Sequence, residues 1–160
     1  NIGMLPWQKG IGDERRGWYQ HTGLLRPGDP GSALRNEWVR GCLTLRDAGD
    51  TTVWRAAIGL LGYYSGPRAR IIDPHGLGDP LLARLPCRQP YHWRIGHFNR
   101  LEPDGYIETV RTGRNRIDSP DLAQYYDKLT ILTQGSLTSL SRLGEIIRFN
   151  LGVYDHLVDS

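Results

Sequence analysis

Apolar positions fall into distinct patterns along the chain. Thr52, Val53 and Trp54, followed by the small Ala56 and Ala57, suit a covered β-strand, and Arg70, Ile71, Ile72 and Asp73 suit a second one. Between them Gly59, Gly62, Gly66 and Pro67 interrupt any long helix, so a short helical turn or loop around residues 60–64 is expected. The second strand ends at Asp73-Pro74, because proline has no N–H to give to a ladder. An open α/β layer collects ligands at the carboxyl ends of its strands, which makes the 73–79 loop the expected place for a site.

Helical spacing governs the rest. Residues 33–48 place Leu34, Trp38, Cys42 and Leu45 on one face, with Trp38 expected as a core or docking residue. Ser119-Pro120-Asp121 starts a helix with a side-chain cap, a proline at the first position and an acid at the positive helix end. Leu122, Tyr125, Tyr126, Leu129 and Leu132 continue it, and Gly135 stops it. A second helix puts Leu140, Leu143, Ile147, Leu151, Tyr154 and Val158 on one stripe, and the short link predicts an antiparallel pair. Smaller helices are expected at 79–86, with Asp79 as cap and Pro80 at the first position, and within 103–111. The expected fold is α/β or α+β, a small central sheet with helices packed on it and a helical C-terminal half.

A chain of 160 residues reads as one domain, long enough to bury roughly 70% of its unfolded surface. Formal charge is +3 and the pI about 9.0, with the positive groups spread rather than clustered, which does not point to nucleic acid. Apart from Lys9 and Lys128, every permanent cation is arginine, whose planar fork suits carboxylate, phosphate and hydroxyl-rich faces. No run approaches the ~20 apolar residues of a membrane span, and no signal peptide opens the chain. Because Asn1 comes first, a processed product or a piece of something longer is expected. Cys42 and Cys87 lack metal-like spacing; in an oxidising compartment they could pair, a bridge worth about 4 kcal/mol in the entropic account.

The chemistry-bearing groups gather between residues 73 and 98. Capping accounts for Asp79 without further function, whereas Asp73 has no local task beyond an Asx-type turn and is the stronger candidate. His75 and Asp79, with His92 and His97 downstream, lack a zinc-ligand arrangement, and no metal is expected. There is no GxSxG and no P-loop, and Cys87 has no activating context, so an autonomous enzyme is not indicated. If residues 92–98 are extended, Trp93, Ile95 and His97 share one face and His92, Arg94, Gly96 and Phe98 the other. An apolar floor with directional donors suits a polyhydroxylated ligand; the other reading is a core Trp and a His bonded to backbone.

Several strings carry a family resemblance: Gly62-Tyr63-Tyr64-Ser65-Gly66-Pro67, Leu77-Gly78-Asp79-Pro80-Leu81-Leu82-Ala83-Arg84-Leu85-Pro86, Trp93-Arg94-Ile95-Gly96-His97-Phe98, Pro103-Asp104-Gly105-Tyr106 and Asn150-Leu151-Gly152-Val153-Tyr154-Asp155. Together they resemble the C-terminal soluble domain of the terminal arabinofuranosyltransferase family, whose relatives include bacterial flagellar motor control proteins. The resemblance implies a GT-C membrane glycosyltransferase: a multi-span portion followed by this domain at the extracytoplasmic, periplasmic face. It implies a polyprenyl-phosphate sugar donor, a cell-envelope glycan acceptor, and a catalytic carboxylate in the membrane portion rather than in these residues. Asp73, His75, Asp79, Arg84, Trp93, Arg94 and His97 are then the positions expected to line the acceptor side or to dock on the membrane portion of the same protein. A non-catalytic interaction or scaffold domain is the alternative.

Overall fold

The computed structural model describes residues 37–56, 58–87 and 97–158, together with Tyr19. Along this chain α1 spans Glu37–Ala48, β1 Thr51–Trp54, α2 Ile58–Ser65, β2 Ala69–Ile72, α3 Tyr106–Thr112, α4 Pro120–Gln134 and α5 Leu140–Asn150, with short 3-10 turns at Leu82–Arg84 and Asp155–Leu157. The architecture is mixed α/β and helix-rich, built on a two-stranded sheet.

The two strands are parallel, with Val53 opposite Ile71 and Trp54 opposite Ile72. A parallel pair needs a crossover, and here α2 supplies it. The expected turn at residues 60–64 is therefore part of an eight-residue helix. Gly59 and Gly62 each cost about 1 kcal/mol inside it, offset by burial of Leu61 and contact with β2 and α1. Trp54, expected to be covered, is 42% exposed at the end of its strand. α3 packs against both strands, which seats residues 106–112 beside the sheet.

The main core lies between the 79–86 segment, α3, α4 and the C-terminal turn. Ile72, Leu81, Leu82, Leu85, Tyr106, Tyr125, Leu129 and Leu157 form it, with Phe149 and Tyr126 packed on its margin. Val39 and Cys42 bury separately, on α1. α4 starts as its sequence dictates: Ser119 accepts the Leu122 N–H at 3.4 Å, Pro120 leads the helix, and Gly135 closes it.

α5 corrects one expectation. α4 and α5 do contact each other, and the Arg142 guanidinium donates to the Leu132 carbonyl at 2.8 Å. The stripe of Leu140, Leu143, Ile147 and Leu151 nevertheless faces outward, with Leu140 83% and Leu151 74% exposed. Glu145 and Phe149 turn inward instead. The helical period does not continue to Tyr154 and Val158, because α5 ends at Asn150 and Gly152, at φ +70°, redirects the chain so that those two residues join the core from another side.

Candidate functional site

The 73–79 loop lies at the carboxyl ends of both parallel strands, where the sequence placed it. Asp73 is 1% exposed and spends its carboxylate on the loop's own backbone. One oxygen accepts the His75 N–H at 3.1 Å, and the other accepts Leu77 N–H at 2.7 Å and Gly78 N–H at 3.1 Å. This Asx-type network is more extensive than a single turn, so Asp73 acts as the organiser of the loop. Gly76 completes it: at φ +68°, a Cβ there would lie 2.9 Å from the Ala83 nitrogen, so the loop closes backbone to backbone on the 79–86 segment.

Asp79 caps that segment as expected. Its Oδ1 accepts Leu81 N–H at 3.0 Å and Leu82 N–H at 2.8 Å. A third partner was not legible in the spacing: the Tyr106 hydroxyl, from α3, donates to both carboxylate oxygens at 2.9 Å. Burial pushes the Asp79 carboxyl above the usual carboxylate range, although the Leu82 N–H, the Tyr106 hydroxyl and the Leu81 N–H all pull it down. Burial, followed by the Asp79 charge, drives the Tyr106 phenol far above its ordinary value. Glu102 nearby is also raised, by burial first and then by Asp104 and Asp79.

The two histidines meet. The rings of His75 and His97 stand edge to face with centroids 5.0 Å apart, both half-buried. Burial, and then the neighbouring His97, hold the His75 imidazole below its ordinary value against the opposing pull of Asp73. A neutral imidazole at pH 7 both donates and accepts, which suits hydroxyl groups. The flanks of residues 88–96 are tied to this same place: Cys87 and Arg100 form an antiparallel bridge, Arg100 N–H donates to the Pro74 carbonyl at 2.8 Å, and its guanidinium donates to Leu85 O at 2.7 Å. Trp93 and Arg94 lie outside the described residues.

Arg84 is exposed, its guanidinium donating to the Pro80 carbonyl of its own turn. Cys42 and Cys87 are both free thiols. Cys42 is buried on α1, its thiol donating to the Trp38 carbonyl at 3.1 Å, whereas Cys87 is exposed beside the Arg100 bridge.

Beside the Asp79–Tyr106 pair a cavity of about 480 Å³ opens between β2, α3 and α4, lined among others by Arg70, Tyr126, Asp127 and Gln134. None of the four stands out as a site residue in the sequence: Arg70 fits a strand position, Tyr126 the α4 stripe, and polar residues on a helix carry no spacing signal. Tyr106 had one, as the last residue of the Pro103-Asp104-Gly105-Tyr106 string.

Residues 33–152 match the sequence profile of a domain of unknown function, DUF8728. No curated protein and no solved structure matches the chain.

Proposed function

The chain belongs to the DUF8728 family; from the resemblance of its motifs we propose that it is the extracytoplasmic domain of a GT-C membrane glycosyltransferase, resembling the arabinofuranosyltransferases and shaping the acceptor side of cell-envelope glycan assembly. The observation that carries this reading is the rim built at the strand ends: an internally bonded loop presenting a neutral His75 against His97, with both flanks of the 88–96 segment anchored beside it. Asp73 and Asp79 are consumed in holding that rim, which supports a role in presenting a glycan rather than in cleaving or forming its bonds. Chemistry, on this account, belongs to the membrane portion, which takes sugar from a polyprenyl-phosphate donor at the periplasmic face.

The outward apolar stripe of α5 fits the same account as the surface that meets the membrane-embedded portion of the protein. It equally favours the second reading, a non-catalytic interaction domain of the kind that the flagellar motor control proteins of the resembled family suggest. Titration of the chain with cell-envelope oligosaccharides separates them. Saturable shifts of the His75 and His97 ring signals support the glycan-presenting function. Unmoved histidine signals, together with Leu140-dependent binding to a membrane partner, support the interaction domain instead.

A further inference from the structure

We propose that the cavity between β2, α3 and α4 is a carbohydrate site that takes one neutral furanose or pyranose ring of a glycan. This deepens the glycan-handling function proposed above and rests on it, but it uses different residues from the His75–His97 rim, so either can fail alone. At about 480 Å³ the cavity is in the size range of small-ligand sites.

Its lining is a set of half-used polar groups. One arm of the Arg70 guanidinium, Nη1, is held by the Val110 and Arg111 carbonyls at 3.0 and 3.1 Å, which fixes the fork while leaving its other N–H groups unspent. Asp127 takes the Asn115 amide on Oδ1 at 2.8 Å and keeps Oδ2 in reserve. Tyr126 and Gln134 line the same space, and neither the hydroxyl nor the side-chain amide has a hydrogen-bond partner among the described residues. Fixed donors beside fixed acceptors match a hydroxyl, which donates and accepts at once. The Tyr126 ring, packed edge-on against Tyr106 with centroids 5.8 Å apart, and Val110 supply an apolar wall for the C–H face of a sugar.

Charge decides against the other small ligands that Arg70 alone would suit. Two carboxylates, Asp79 and Asp127, face one guanidinium, so a phosphate or uronate would meet a net negative lining. Asp79 keeps its charge but has both oxygens engaged by the Tyr106 hydroxyl and two backbone N–H groups, which gives the site a rigid floor rather than a free base.

The test is a chemical-shift and calorimetric titration of the 160-residue chain with the methyl glycosides of a pentofuranose and of a hexopyranose, with inorganic phosphate as the control. Saturable shifts at Arg70, Tyr126, Asp127 and Gln134 are expected from at least one glycoside, and none from phosphate. Tyr126→Phe keeps the ring and Gln134→Ala alters an exposed side chain, so both should fold, and each should weaken binding roughly two- to tenfold. Asp127→Asn should weaken it roughly tenfold or more. Shifts confined to His75 and His97 would overturn the cavity while leaving the glycan reading standing. The same holds for binding unchanged in all three variants. Competition by phosphate, or no shift at glycoside concentrations of about 100 mM, would overturn the cavity proposal outright.

Discussion

Removing one hydroxyl, in Tyr106→Phe, tests how the site is held together. The ring stays, so packing against Tyr126 and the core is preserved. The lost O–H is the partner that Asp79 Oδ2 has among the described hydrogen bonds, while Oδ1 keeps the Leu81 and Leu82 N–H groups. Asp79 is only 3% exposed, so solvent replaces the lost donor incompletely, by way of the cavity that both residues line. Hydrogen bonds to charged groups are worth about 1.5–3 kcal/mol, and a loss of about 2 kcal/mol at pH 7 is expected. For a chain of this length that corresponds to a Tm lower by roughly 4–8 °C. The loss should depend on pH. Asp79 has its carboxyl raised in the folded state, so it costs stability as pH rises from its unfolded value through its folded one. Without Tyr106 the carboxyl rises further, and the penalty should grow over that window and shrink again in acid. Urea unfolding at a series of pH values measures this, alone and in an Asp79→Asn background where the charge is absent. A Tyr106→Phe loss below about 0.5 kcal/mol at pH 7, or the same loss in both backgrounds, would refute the reasoning.

Further outcomes follow from other contacts. Gly76→Ala should destabilise by about 2 kcal/mol or more in thermal unfolding, since both φ +68° and the Ala83 backbone oppose a Cβ, while Gly113→Ala, with φ +70° but open space, should cost about 1 kcal/mol. Glu145 is held below its ordinary value chiefly by the Tyr154 hydroxyl, at 2.6 Å, so it contributes stability above its unfolded value that is lost as pH falls through its folded one; Glu145→Gln should flatten that acid limb of the stability profile. Leu140→Ser with Leu143→Ser should change unfolding stability by no more than about 0.5 kcal/mol each, because both side chains are already outside, yet on the proposed function should reduce association of the chain with the detergent-solubilised membrane portion proposed above. A thiol reagent should modify Cys87 promptly and Cys42 only on unfolding, because burial both covers the Cys42 thiol and raises it.

Local signals in the sequence were legible where they rested on backbone chemistry. Ser119-Pro120 and Gly135 bound α4, Asp79-Pro80 caps its turn, and Pro74 follows the end of β2, because caps and prolines act through orphan N–H groups that no tertiary context alters. The small sheet with helices on it followed from the same pattern. Tertiary facts were not legible. The pairing of β1 with β2 is parallel, and that forced a helix through two glycines. The apolar positions of α5 continue in register through Tyr154, but Gly152 breaks the helix, and the stripe that reads as core is the part left outside. In the site, Asp73 and His75 were placed correctly at the strand end, yet the partners that define their roles come from the backbone of the loop and from His97. Tyr106 reaches Asp79 across 27 residues, a contact that no spacing encodes.

The most direct measurement is sugar transfer in membranes carrying the proposed glycosyltransferase of which this chain would be the extracytoplasmic domain, with a polyprenyl-phosphate pentose donor and a cell-envelope glycan acceptor. If this domain presents the acceptor, transfer occurs, and His97→Ala and Trp93→Ala raise the acceptor KM by roughly tenfold with little change in kcat, the signature of lost binding rather than lost chemistry. Absence of transfer, or an acceptor KM unchanged in both variants, would contradict the account.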